Sequence, residues 1–247
     1  MTTDLLPKST AYGWLMLGGI AISILFWSRL ARRDDRLLMV YVAALGGAFF
    51  GAKVIYIVAE GWLHFGAPDM WLQLATGKSI LGALLGGYLA VELATKWVGY
   101  PGATGDWFAY IAPIGIMVGR VGCLLHGCCQ GITCQPAWYT LKDADGVSRW
   151  PAVPMEILFN AVAVVAFFIL RRQKKLAGQH FHLYLISYGI FRFLHEFVRQ
   201  EPHILGPFSG YQIAALAVLA LGVVGFVRRR KRITAATAPS PSAPLHV

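Results

Sequence analysis

Charge is scarce in this sequence: 14% of its residues are Asp, Glu, Lys or Arg, against about a quarter in an average soluble chain. A chain that is 57% hydrophobic and so poor in charge does not have water as its main solvent. Acidic residues are the scarcer sign, 12 against 22 Lys and Arg, for a net charge of +10. That excess does not form the single basic stripe that nucleic acid needs, because the basic residues fall in short loops and a tail between apolar runs. A nucleic-acid partner is therefore excluded. No internal repeat is present, nor a pair of hydrophobic segments interrupted by Gly or Pro, and both absences argue against a transporter. The first apolar run is followed, not preceded, by its strong positive charges, so it reads as a membrane anchor and not as a cleaved signal peptide.

Crossing a hydrocarbon core of ~30 Å takes about 20 residues of helix. Seven apolar stretches approach that length: Ala11–Trp27, Leu37–Val58, Ile80–Ala94, Trp107–Val121, Val153–Leu170, His182–Val198 and Tyr211–Phe226. The sequence thus predicts an all-α, multi-pass protein of about seven transmembrane helices. Arg29, Arg32, Arg33 and Arg36 follow the first span, Lys96 closes the third, and Arg171, Arg172, Lys174 and Lys175 follow the fifth. Arg228 to Arg232 follow the seventh. With seven spans all four sets share one side, which the positive-inside rule makes the cytoplasm, leaving the N-terminus outside and the C-terminus inside. Residues 1–232 read as one transmembrane domain with outer loops at 59–79 and 124–152. Residues 233–247, rich in Ala, Pro, Ser and Thr, read as a disordered cytoplasmic tail.

Ionisable side chains within spans cost on the order of 2.5–3.5 kcal/mol on insertion scales, so each one needs a reason. In the sixth span Tyr188, Arg192, His195 or Glu196, and Arg199 recur at spacings of three and four, which stacks them on one helical face turned to the bundle or a wet cavity. The bland alternative is a structural Arg192–Glu196 pair with Arg199 snorkelling to the surface. Arg120, between Gly119 and Gly122, lies in the outer half of the fourth span, and Lys53 near the outer end of the second. Lys53, Arg120, Arg192 and Arg199 at similar depth would make a cationic pocket for an anionic phospholipid, since the planar guanidinium fork suits phosphate.

All four cysteines fall within twelve positions, Cys123, Cys128, Cys129 and Cys134, with His126 among them. Disulfides on an oxidising face are one reading, with three connectivities open. A zinc or copper site built from Cys123, His126, Cys128, Cys129 and Cys134 is a second, although the spacing lacks the paired Cys-x-x-Cys of structural zinc sites. A reactive thiol beside arginines that lower its pKa is a third, and plain helix packing a fourth.

The residues now assembled resemble the prolipoprotein diacylglyceryl transferase family, bacterial membrane enzymes that move a diacylglyceryl group from phosphatidylglycerol to a lipoprotein cysteine. Gly51 to Tyr56 is similar to the family's Gly-Ala-Arg-x-x-Tyr, and Ser79 to Gly86 to its Ser-Phe-His-Gly-Gly-x-x-Gly. Gly119 to Gly131 follows the frame of Gly-Arg-x-Gly-Asn-Phe-x-Asn-x-Glu-x-x-Gly, and Tyr188 to Arg199 matches Tyr-Gly-x-x-Arg-x-x-x-Glu-x-x-Arg. The resemblance implies a seven-helix protein of the bacterial inner membrane, with its N-terminus outside and no required cofactor. It implies that Arg120 binds the lipid phosphate and that Tyr188, Arg192, Glu196 and Arg199 line the reaction centre. Lys53, Arg199, Gly119, Gly122 and Gly131 are then substrate-binding. Departures accompany the matches: Leu81 stands where the family has its histidine, Cys123 and His126 where it has asparagines, and Cys128 where it has glutamate. His126 or Glu156 is the candidate for the missing base.

Two function classes follow. One is a diacylglyceryl transferase or close paralogue, divergent and cysteine-rich, with an anionic phospholipid and a thiol-bearing acceptor such as a lipoprotein precursor as partners. The other is a lipid- or metal-binding thiol or redox membrane protein on the same scaffold.

Overall fold

The computed structural model describes residues 8–32, 34–100 and 104–237. Eight α-helices account for most of them: α1 Lys8–Ala31, α2 Arg36–Ala59, α3 Met70–Thr76, α4 Ile80–Trp97, α5 Gly105–His126, α6 Ala152–Arg172, α7 His180–His195 and α8 Gly210–Thr237. Helices dominate because a chain that meets lipid must satisfy every backbone N–H and C=O within its own segment. Five of them, α2, α4, α5, α6 and the Gly210–Lys231 part of α8, are long and apolar enough to cross a membrane. Of the other two expected spans, the first has its apolar stretch at Leu17–Arg29 in α1. The sixth is shorter than the sequence predicts, since α7 holds 16 residues and gives way to a 3-10 turn at Glu196–Val198.

Several boundaries differ from the sequence reading. Helix α5 continues past Val121 to His126, so the loop expected from residue 124 begins later. That loop contains a small hairpin, β1 (Leu141–Lys142) paired with β2 (Ser148–Arg149). The loop at 59–79 folds into a 3-10 turn at Gly61–His64 followed by α3. A second hairpin, β3 (His203–Leu205) with β4 (Phe208–Ser209), joins α7 to α8 and turns at Gly206, whose φ of +60° is open to glycine. Helix α8 carries on to Thr237, so the tail expected from residue 233 starts within a helix, and residues 238–247 and Arg33 lie outside the described residues.

The helices pack as neighbouring pairs, α2 with α4, α5 with α6, and α7 with α8, with α1 against α5. The closest pair is α2 with α4. A Cβ on Gly51 would stand 2.3 Å from the Gly82 carbonyl oxygen, and one on Gly86 would stand 2.2 Å from that of Gly47. Glycines four apart on both helices let the backbones touch, the way small residues drive association where lipid removes the hydrophobic force between helices. The Ser79–Gly86 stretch is therefore a packing seam, and Leu81 on it is 1% exposed within the main apolar core. Outward faces are apolar as well, with Phe49, Phe50 and Leu93 each about two-thirds exposed or more (66%, 72% and 68%). A continuous apolar exterior of this kind suits lipid tails and not water.

Replacing Gly86 with leucine is expected to separate α2 from α4 and to abolish the monodisperse peak in size-exclusion chromatography of the detergent-purified protein. Gly46→Leu, on the same seam helix but with no atom within 4 Å of its built Cβ, is expected to elute like the parent.

Candidate active site

The site begins with one carboxylate. Glu156, in the second turn of α6, is 0% exposed. Its Oε2 lies 2.8 Å from Nη2 of Arg120 on α5 and 3.8 Å from Nη1 of Arg192 on α7. Its Oε1 accepts a 2.6 Å hydrogen bond from the Tyr188 hydroxyl. Three helices are thus tied through one side chain. One turn further along α6, Asn160 repeats the tie in neutral form: its amide donates to the Glu156 carbonyl, and its oxygen accepts from Tyr184 at 2.8 Å. Tyr184 and Tyr188 stack at 5.6 Å, which keeps the α7 face closed behind the charges.

A second carboxylate extends the row. Glu196 Oε2 is 2.8 Å from Arg192 Nη2 and 3.8 Å from Arg199 Nε, and its Oε1 accepts from Ser209 at 3.3 Å. Arg199 then reaches Glu201, closing an alternating chain Arg120, Glu156, Arg192, Glu196, Arg199, Glu201. The 3-10 turn after His195 and the extended backbone at Arg199 (φ −98°, ψ 154°) swing that arginine back toward the others. The structural pair Arg192–Glu196 at i, i+4 exists, yet Arg199 is 5% exposed and does not snorkel to a surface.

An open hollow of ≈ 2350 Å³ lies against this row, and Arg120, Arg192 and Arg199 line it. Tyr188 and Glu196, expected at the reaction centre, are buried behind the arginines and do not line the hollow. Glu156 and Glu196 are enclosed behind the row, whereas Glu201, bonded to Arg199, lines the hollow together with the three arginines. Arg120 Nε, and Nε and Nη1 of Arg199, are buried donors without a hydrogen-bond partner among the described residues. Such donors are costly to leave unpaired in a dry site and favour an anion there.

Other expected residues are placed differently. Lys53 does not join the arginines. Its ammonium donates to the carbonyls of Leu74, Ala75 and Gly77, capping the C-terminal end of α3, where a cation also suits the helix dipole. Gly131 packs on Trp150, whose carbonyl would sit 2.4 Å from a Cβ, and bridges to Arg199, so it shapes the loop and does not face the hollow. Gly119 lines the hollow, and Gly122 is buried on α5. His126 is exposed at the end of α5 and lines the hollow, away from the row of ion pairs.

The four cysteines divide. All are free thiols. Cys123, Cys128 and Cys129 place their sulfurs within 4.8 Å of one another, whereas His126 and Cys134, expected in the same ligand set, stand apart from that group. Cys134 Sγ lies 3.9 Å from the Ser148 carbonyl. In the loop after α5, hydrogen bonds from the Cys123 and Cys128 thiols, helped by Arg120 and Arg199, hold the Cys129 thiol well below the ordinary thiol range against the effect of burial. Hydrogen bonding with Cys123 first and Cys129 second, together with burial, pushes Cys128 up.

Two residues of the hollow had no signal in the sequence. Glu60 follows the last turn of α2 and neighbours Glu201, which precedes β3; both line the hollow with Tyr211. Burial first and the neighbouring Glu201 second push the Glu60 carboxyl up to about 7, against a hydrogen bond with Tyr211 and the pull of Arg199. Only their pairing in space sets them apart, since a Glu at a helix end and a Glu before a proline are ordinary.

An apolar-walled bundle with a buried arginine–carboxylate row beside a large hollow defines a multi-pass membrane protein. A family model described as prolipoprotein diacylglyceryl transferase matches residues 6–228, and the chain belongs to that family. It is similar to phosphatidylglycerol–prolipoprotein diacylglyceryl transferase 2 of Clostridium perfringens, 27% identical over 88% of this chain and 90% of the relative. The corresponding transferase of Geobacter sulfurreducens is 30% identical over 89% of this chain and 91% of its own length. That of Vibrio parahaemolyticus is 27% identical over 90% and 86%.

Removing Glu156 leaves two guanidinium groups facing each other in a dry interior. Glu156→Leu is expected to cost about 3–5 kcal/mol of stability. Adding Arg120→Met to it is expected to recover a large part of that loss, both read by unfolding in mixed micelles.

Proposed function

We propose that this chain transfers a diacylglyceryl group from phosphatidylglycerol, or a similar anionic phospholipid, to the cysteine thiol of a lipoprotein precursor. The observation that carries the reading is the convergence of Arg120, Arg192 and Arg199 on one hollow with guanidinium donors to spare. Membership of the family supplies the reaction class. The relatives named above are transferases acting on phosphatidylglycerol and prolipoprotein. The topology that fits is seven spans in a bacterial inner membrane with the N-terminus outside. The end of α5, the start of α6 and the end of α7 then share the outer side, opposite the basic C-terminal ends of α1, α6 and α8.

The chemistry follows from the charges. The acceptor thiolate attacks the glycerol carbon of the lipid that carries the phosphate. A carbon–sulfur bond forms, the carbon–oxygen bond breaks, and glycerol phosphate leaves with the electron pair. Negative charge grows on the leaving phosphate, and guanidinium groups already locked by Glu156 and Glu196 meet it without reorganising. No cofactor is needed for this displacement. The thiol proton needs a base, which Leu81 is not. Glu156 is ion-paired with Arg120 and Arg192, accepts from Tyr188 and does not line the hollow. Glu60 does line it, and a carboxyl poised near neutrality is matched to taking a thiol proton.

Purified protein given phosphatidylglycerol vesicles and a peptide bearing a lipobox cysteine is expected to release glycerol phosphate. Arg120→Ala and Arg192→Ala are each expected to slow release about 100- to 1000-fold. No release by the parent, or equal release by Arg120→Ala, would sink the proposal. The base assignment has its own signature. Because Glu60 must be ionised to accept the proton, release should rise with pH through about 7 and then level off. Glu60→Gln should lose that limb while His126→Ala keeps it.

A further inference from the structure

The sulfurs of Cys123, Cys128 and Cys129 are gathered by a helix cap. Helix α5 ends at Gly127 in the left-handed region (φ +72°), and the Cys128 N–H turns back to the Cys123 carbonyl at 3.1 Å. This six-to-one bond is the Schellman closure, and here it carries Cys128 over Cys123, five residues earlier in the chain. Cys129 completes the group by adopting φ +60°, one of three such non-glycine residues among those described. A left-handed conformation at a residue with a Cβ costs of order 1–3 kcal/mol and persists where the surroundings hold it. Its effect is to turn the Cys129 sulfur inward, 4.0 Å from Cys123 Sγ.

The geometry points to a binding site for a single thiophilic metal ion on Cys123, Cys128 and Cys129, at the rim of the hollow. An ion about 2.3 Å from three sulfurs in one plane holds those sulfurs about 4.0 Å apart. Here one pair stands at that separation and the whole set lies within 4.8 Å. All three ligands are soft thiolate donors, which select Cu(I) or Zn(II) over hard ions. Neither His126 nor Cys134 belongs to the group, so the site is three-coordinate in protein ligands. Three thiolates around a monovalent or divalent ion leave net negative charge. Arg120, whose Nη1 lies 4.0 Å from Cys123 Sγ, supplies positive charge to balance it. The site does not depend on lipid transfer, and its test uses no lipid substrate.

The experiment is metal retention by the full-length protein in nanodiscs, reduced and then kept without reductant under argon. Competition with a chromophoric chelator is run in separate Cu(I) and Zn(II) arms. One equivalent per chain is expected, the more tightly held ion naming the site's occupant. Cys123→Ser, Cys128→Ser and Cys129→Ser should each weaken binding by more than the roughly 10–100-fold that loss of an outer-sphere partner costs. Cys134→Ser and His126→Ala should bind like the parent. A readout without variants is alkylation followed by mass spectrometry, in which bound metal should protect three cysteines and leave Cys134 labelled. Three results would overturn the assignment: sub-stoichiometric binding in both arms, equal weakening by Cys134→Ser, or a disulfide within the trio in the protein as isolated.

Discussion

Everything at this site hangs on a carboxylate with no access to water. Isolated, an ionised Glu156 would be far too costly to bury. A guanidinium at 2.8 Å, a second at 3.8 Å and a phenol at 2.6 Å offset that cost. The same bonds fix where α5, α6 and α7 stand relative to one another, because a charged group in a dry interior tolerates little displacement. A buried ion pair of this kind adds little net stability over an apolar core of equal volume. Its contribution is geometric, and the geometry it fixes is that of two arginines that also face the hollow.

The division of labour along the row follows from exposure. Arg120, Arg192 and Arg199 present one side to the hollow and the other to Glu156, Glu196 and Glu201. Tyr188 and Glu196 never reach the open space, so their part is to hold the arginines and not to meet a ligand. Long flexible side chains would otherwise lose conformational freedom each time an anion bound. Because the carboxylates have already taken up that cost in the resting protein, the anion meets charges in place.

Much of this was written in the sequence, and the parts that were not have identifiable reasons. Apolar runs gave the helices, since length and hydropathy are what a bilayer selects. The spacing of Tyr188, Arg192, Glu196 and Arg199 gave their common face, because three and four residues are one turn. Spacing within one helix could not tell which of those residues would open on a cavity, since that is decided by neighbours from other helices. Hence Tyr188 and Glu196 were expected too far forward, and the pivotal place of Glu156 between two arginines was not apparent. Lys53 was misplaced because α3, whose carbonyls it caps, is a short helix in a loop with no strong periodic signal. Glu60 and Glu201 are separated by most of the chain, and only the packed bundle makes them a pair.

The cysteine cluster shows how a local rule can carry a distant consequence. A helix that ended elsewhere would leave Cys128 and Cys129 pointing away from Cys123, whatever their spacing. The glycine at 127 and the backbone bond to residue 123 bring the three sulfurs together beside Arg120. That arginine then stands between the thiol trio on one side and the hollow on the other, while a third demand comes from Glu156. A single guanidinium has five N–H donors, so it can serve all three at once only if each takes a different edge. Glu156 takes Nη2 and the Cys123 sulfur lies nearest Nη1, while Nε is buried without a hydrogen-bond partner among the described residues. A metal–thiolate group at the cap and a lipid phosphate in the hollow would therefore draw on the same cation, Arg120.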